Sequence, residues 1–137
     1  MKNVLIDTNI LLDVCLKREP FYTNSIRFLS HIEQNGITGA IASTTITNIY
    51  YILRKMLDKE TALEHIQAIA ETERINFLPV SKQTVKLALD IPMYDFEDAI
   101  QVAVAVEAGI NLIVTRNLRD FKNSPIASVL PEDFLVM

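Results

Sequence analysis

A single cysteine, Cys15, leaves no partner for an internal disulfide and fits a reducing compartment. With only three glycines in 137 residues there is no glycine-rich loop to cradle a nucleotide phosphate, which excludes a P-loop ATPase. The two histidines, His31 and His65, lack the spacing of a metal pair and fall within helical segments, and with one cysteine they cannot build a zinc site. Five prolines, scattered, and no Ser/Gly/Pro-rich or charge-block stretch leave no flexible linker, so residues 1–137 read as one domain with one core. No long apolar run is present either. The most membrane-like stretch, 99–114, is interrupted by Gln101, Glu107 and Asn111 and is shorter than the ~20 residues that span a bilayer. The start, MKNVLIDTNILLDV, carries Asp7 and Asp13 inside its apolar run and no small-residue cleavage site, so a soluble cytoplasmic protein without a signal peptide is expected.

Surplus positive charge is also missing, since the formal net charge is −4. Nucleic-acid binding ordinarily draws on excess Lys and Arg. Setting aside Asp7, Asp95, Asp98 and Asp120 as one metal site, however, leaves acids and bases equal in number, and bound cations would reverse the local field. Charge therefore neither supports nor excludes RNA.

Half of the residues are apolar, and their spacing alternates between strand and helix. The run Asn3–Ile6 ends in Asp-Thr-Asn, as a buried parallel strand with a polar C-terminal edge would. Ile10, Leu11, Val14 and Cys15 recur at helical spacing before Arg18-Glu19-Pro20 breaks the pattern. A second helix is expected from an N-cap at Thr23 to Asn35-Gly36, and a strand at Ala40–Ala42. A helix then carries Ile46, Ile49, Tyr50 and Leu53, a stripe that fits either core or a dimer surface. A further helix is expected over Thr61–Arg74, a strand over Asn76–Val80, and a Ser81-capped helix through Leu89. After Pro92, a helix opened by Asp95 or a neighbour stops at Gly109, and a strand follows over Asn111–Thr115. The tail holds a turn at Phe121, an edge strand over Ala127–Leu130 and a Pro131–Phe134 ending. This order predicts an α/β domain, its mostly parallel sheet of four to five strands covered by helices on both faces. Ligand sites in such sheets lie beyond the carboxyl ends of the strands.

Three polar clusters sit where that rule places a site: Asp7-Thr8-Asn9, Asp95-Phe96-Glu97-Asp98 and Thr115-Arg116-Asn117-Leu118-Arg119-Asp120. Singly, each aspartate has a structural role open to it as a helix cap, a dipole partner or a turn residue. Capping does not explain three clusters at one edge. Crowded carboxylates stay ionised only with a compensating cation, and oxygen donors without Cys or His indicate Mg²⁺ or Mn²⁺.

These residues resemble the PIN-domain nucleases, the family that includes the VapC-type toxins and many PilT N-terminus-like proteins. The resemblance covers nearly the whole chain and is carried by Val4-Leu5-Ile6-Asp7-Thr8-Asn9, by Glu97-Asp98-Ala99-Ile100-Gln101-Val102-Ala103, and by Ile113-Val114-Thr115-Arg116-Asn117 followed by Asp120-Phe121. It implies a metal-dependent ribonuclease with Asp7 and Asp98 as the first and third acidic positions on the metal. The fourth falls on Asn117, with Asp120 placed to share or replace its role. At the second, where relatives commonly carry Glu, stands Asn48, whose amide brings no negative charge and cannot act as a general base; Asp95 adds a carboxylate beside Asp98. The resemblance further assigns Thr8, Asn9 and Thr115 to the loops of the site and, with Arg116, Arg119, Arg54 and Lys55, to RNA contact; Lys17-Arg18 is a second flanking pair. It implies a homodimer and a small antitoxin partner, as for the toxin of a toxin-antitoxin pair. Other readings are a PIN-like domain that binds RNA or protein without cutting, and a haloacid-dehalogenase-type phosphatase. The second of these wants an Asp where Asn9 stands. A receiver domain lacks its Lys.

Overall fold

The computed structural model describes residues 2–137. Five parallel strands form one sheet in the order β3-β2-β1-β4-β5: β1 (Asn3–Ile6), β2 (Thr38–Ala42), β3 (Ile75–Leu78), β4 (Leu112–Val114) and β5 (Ala127–Val129). Strand β1 is central because its side chains are apolar on both sides. Val4 and Ile6 point into one core and Leu5 into the other, which is why no polar alternation marks it.

The first core lies under α1 (Thr8–Leu16), α2 (Phe21–Gln34), α3 (Ser43–Met56), α4 (Lys59–Glu71) and the one-turn α7 (Pro131–Phe134). Ile10, Phe28, Ile32, Ile49 and Leu53 are fully buried there, and Phe134 meets Phe28 edge to face at 5.3 Å. Of the stripe Ile46, Ile49, Tyr50 and Leu53, Ile49 and Leu53 are buried in this core, and Ile46 and Tyr50 pack against it while staying partly exposed. On the opposite face lie α5 (Lys82–Leu89) and α6 (Phe96–Glu107). The Ala/Val body of α6 is buried from Ala99 to Ala105, and its small side chains let it approach Ala40 and Ala42 of β2. A Cβ at Gly39 in β2 would stand 2.5 Å from Ile6 Cδ1, so a larger residue there would force the buried Ile6 side chain to shift. Among the described residues no helix is long and apolar enough to cross a membrane.

Element boundaries depart from expectation where capping decides them. Helix α2 starts at Phe21, directly after Pro20, and not after Thr23. Helix α4 starts earlier than Thr61 because Asp58 Oδ1 accepts from the Thr61 amide at 2.8 Å, and it stops at Glu71, freeing the backbone to enter β3 at Ile75. Pro79 lacks the N–H that would continue β3. Ser81 forms a capping box with Thr84, and Asp95 Oδ1 accepts from the Asp98 amide at 3.1 Å to open α6.

Candidate active site

Strand β1 delivers Asp7 to the carboxyl edge of the sheet, and Thr8 begins α1 at once. As N-cap residue, Asp7 has the extended backbone of that position, yet its side chain accepts no capping hydrogen bond. Instead Asp7 Oδ1 accepts from Gln101 Nε2 at 3.0 Å and Oδ2 from Thr115 Oγ1 at 2.9 Å, with the residue only 2 % exposed. Helix α6 supplies Gln101 and the end of β4 supplies Thr115, so three elements meet on one carboxylate. Burial raises the Asp7 pKa, and the bonds from Gln101 and Thr115 oppose that rise.

A cavity of about 180 Å³ opens in front of this carboxylate. Asp98, Asp95 and Glu97 from α6 and its cap line it, as does Asp120 from the 3-10 turn Leu118–Phe121. The first turn of α1 adds Thr8 and Asn9, and α3 adds Asn48. Asp98 is pushed up to about 7, first by desolvation and then by the neighbouring charges of Asp7, Asp95, Asp120 and Glu97. Like charges at such spacing oppose one another's ionisation, and a divalent cation between them would reverse the sign of the interaction. The oxygen-only donor set therefore fits a hard cation, with Asp7 and Asp98 presented to it and Asp95 and Asp120 on the same wall. Among the described residues no three acidic, His or Cys side chains already stand in the spacing of a finished metal cage.

Gln101 organises the cluster, and it was not among the residues expected to do so. Its Oε1 accepts from the Thr8 amide at 3.1 Å and Thr8 Oγ1 at 3.3 Å, which turns its Nε2 toward Asp7 and, at 3.4 Å, toward Asp98 Oδ1. One amide thus aligns both carboxylates. The signal in the sequence was a lone amide in the apolar body of α6, three residues after Asp98. Gln101→Ala should weaken Mn²⁺ binding by about ten- to a hundredfold, the usual cost of losing a group that orients a ligand. Paramagnetic titration of Mn²⁺ checks this, and an unchanged affinity would show that packing alone holds the carboxylates.

The other expected site residues separate into two groups. Asp7, Asp95, Asp98, Asp120, Thr8, Asn9 and Asn48 share the cavity. Thr115 stands behind it, holding Asp7 and accepting from the Asn117 amide at 3.0 Å. Asn117 does not line the cavity, because its Oδ1 accepts from Arg116 Nη1 at 3.3 Å. Arg116, expected beside the acids on an RNA path, turns away from them. Its Nε donates to the fully buried Asp13 Oδ2 at 2.5 Å, and its guanidinium lies 4.0 Å from the centre of the Phe21 ring. Arg18 approaches the same Asp13, Nε to Oδ1 2.8 Å, at an angle too poor for a hydrogen bond. Both are drawn inward because Asp13, buried in α1, needs opposite charge. Arg119 is exposed beside Asp120, whereas Arg54 and Lys55 are exposed near the far end of α3, off the cavity wall.

The metal-free protein should lose stability as pH rises. Asp98 titrates near 7 when folded and near its ordinary value of 3.8 when unfolded. Below the lower value both states carry the proton and the group contributes nothing to the balance. Between the two, ionisation favours the unfolded chain, and above about pH 7 the penalty is complete. The melting temperature in EDTA should therefore fall across this window. Added Mg²⁺ should oppose the fall, and Asp98→Asn should lessen it, leaving the part that the buried Asp7 contributes in the same sense; a metal-free profile flat from pH 4 to 8 would contradict the crowding of charge.

An all-parallel sheet with several carboxylates gathered at its carboxyl edge defines the class, a small single-domain α/β protein. The PIN domain family model matches residues 3–119, and the chain belongs to that family. It is 26 % identical to the ribonuclease VapC1 of Aquifex aeolicus (strain VF5) over 97 % of this chain and 93 % of that protein. Among solved structures, it resembles VapBC2 from Rickettsia felis bound to a DNA fragment from its promoter, with a TM-score of 0.72, 19 % identity and coverage of 93 % of this chain and 98 % of that one. A toxin-antitoxin complex from Klebsiella pneumoniae gives a TM-score of 0.67 at 21 % identity, with coverage of 93 % and 97 %. The phosphatase reading is set aside by the family match.

Proposed function

We propose that the chain is a metal-dependent endoribonuclease acting as the toxin of a cytoplasmic toxin-antitoxin pair. The observation that carries this reading is the carboxylate pair Asp7 and Asp98, aligned by one amide at the mouth of an acidic cavity in a PIN domain. The similarity to a ribonuclease along almost the whole chain supports RNA as substrate, and the fold shared with toxin-antitoxin complexes supports a small protein inhibitor. Mg²⁺ or Mn²⁺ suits the donor set, and a homodimer follows from the family resemblance.

Within this reading Asp7 and Asp98 hold the cation, Asp95 and Asp120 complete the negative wall, and Asn48 presents a neutral amide where relatives commonly place Glu. Gln101 and Thr115 fix the Asp7 carboxylate, so that little reorganisation remains when substrate arrives. When bound, a divalent cation supplies an activated water and stabilises charge on the phosphoryl and leaving oxygens. Asn117, bonded to Arg116, acts as a loop brace in the state described.

The test is hydrolysis of structured and single-stranded RNA by the purified protein with Mg²⁺, Mn²⁺ or EDTA, alongside Asp98→Asn. Cleavage should require metal and fall to background in the variant. Metal binding without cleavage of any RNA would favour the second reading, a domain that binds without cutting, for which the neutral Asn48 is the supporting observation.

A further inference from the structure

A second cavity, of about 250 Å³, adjoins the acidic one and shares Thr8, Asn48, Glu97 and Gln101 with it. Its floor is apolar: Val80, Val85 and Ile100 line it, together with the ring of Phe96, which remains 48 % exposed. Thr44, exposed at the start of α3, supplies a hydroxyl at the rim, whereas the buried Thr45 shares a hydrogen bond with Thr8 Oγ1 at 3.3 Å. Asn48 stands on the wall common to both cavities, and its amide has no hydrogen-bond partner among the described residues.

These features match one class of ligand. A phosphate is disfavoured, because no Lys or Arg lines the cavity and Glu97 does. A drug-sized molecule needs a larger site, about 300 Å³ upward. A nucleobase has flat apolar faces for Phe96 and the aliphatic floor, and a polar edge for Asn48 and Thr44. Unstacked RNA bases are typically held in this way, by an aromatic face and hydrogen bonds to the edge. Continuity with the acidic cavity places such a base next to the phosphate held there.

We propose that this second cavity is the subsite for a single unstacked RNA base of the nucleotide adjoining the scissile phosphate, read by Asn48 and stacked on Phe96. This rests on the ribonuclease reading for its substrate. It also gives Asn48 a role that a carboxylate at the same position would fill poorly, since an amide offers the base both a donor and an acceptor.

The test uses a labelled single-stranded RNA carrying every dinucleotide step, and matched RNAs with one abasic nucleotide on either side of the preferred cut. Wild type is compared with Thr44→Tyr, an exposed rim position chosen to fill the mouth without disturbing the core, and with Phe96→Ala. One abasic position should lower kcat/KM by roughly tenfold or more, the usual scale of losing one base–aromatic stack. Thr44→Tyr and Phe96→Ala should each cost a similar factor on intact RNA and almost nothing further on that abasic RNA, while Mn²⁺ affinity stays unchanged. Additive losses, or equal cleavage of all abasic RNAs, would overturn the subsite while leaving the nuclease intact. A protein side chain as the true occupant would show as RNA kinetics indifferent to Thr44→Tyr, with the same consequence. If no RNA is cut, the nuclease reading fails. Fluorescence anisotropy of the same RNAs with Ca²⁺ then decides the subsite alone, by the presence or absence of one abasic-sensitive position shared with Thr44→Tyr.

Discussion

Asp7→Asn should abolish metal-dependent hydrolysis and at the same time raise the melting temperature of the metal-free protein. The two effects share one cause. Asp7 is buried, and desolvation is the largest influence on its carboxylate and raises its pKa, so folding of the apoprotein carries a cost at this group that the unfolded chain, which hydrates the carboxylate freely, does not. An amide of the same shape removes that penalty. Its Oδ1 can accept the existing bond from Gln101, and its Nδ2 can donate to Thr115 Oγ1, since a hydroxyl serves in either sense. The gain should show as an upward shift of a few degrees in EDTA, where 1 kcal/mol corresponds to about 2–8 °C for small domains.

Loss of function should be much larger than this gain. Removing a group that only orients a ligand costs about ten- to a hundredfold, so removing the best-held ligand should cost more than about a hundredfold in rate. Stabilisation of the variant by Mg²⁺, which follows occupancy of the folded state, should also vanish. The measurements are turnover on RNA and melting curves with and without Mg²⁺. A variant that melts lower than wild type in EDTA would show that the two hydrogen bonds outweigh desolvation at Asp7.

Much of this geometry was open to reading from composition and spacing. Apolar runs bounded by cap residues located all five strands, because a strand buried on both faces has little choice but aliphatic residues. An aspartate directly after such a run had to meet a partner. The partners themselves were harder to see, since hydrogen bonds from Gln101 and Thr115 to Asp7 span ninety-four and one hundred and eight positions of the chain. Gln101 stood inside a motif already singled out, but a single glutamine in an Ala/Val helix carries no sign of what it faces.

Arg116 illustrates the opposite error. Its place among polar residues after β4 suggested solvent and RNA, whereas the competing demand came from Asp13, an acid in the middle of the α1 core face. A buried charge claims the nearest cation regardless of how the cation's neighbours read. The same demand explains why Arg18 and Arg116, from opposite ends of the sequence, converge on one helix.

Asp13→Ala should destabilise the fold by about 3 kcal/mol, the lower end of the range for breaking one side of a buried ion pair. The lower end applies because Arg18 is 35 % exposed and can turn to water, while Arg116, at 19 %, has less freedom. The single substitution leaves the Arg116 guanidinium over Phe21 without its anion, in a pocket where Ser25 Oγ already lacks a partner. A fall of about 10 °C in melting temperature should accompany it. Removing charge from both sides should cost less: Asp13→Leu combined with Arg116→Met takes away anion and cation together and keeps the volume apolar. Chemical denaturation of the single and double variants checks the comparison. If the double variant proved the less stable of the two, the pair would owe its worth to its hydrogen bonds and not to mutual compensation of charge. Metal affinity adds a second readout, because Arg116 lies between Thr115, which holds Asp7, and Asn117, which leads into the turn bearing Asp120. Releasing Arg116 should loosen that segment and weaken Mn²⁺ binding in Asp13→Ala even at temperatures where the protein stays folded.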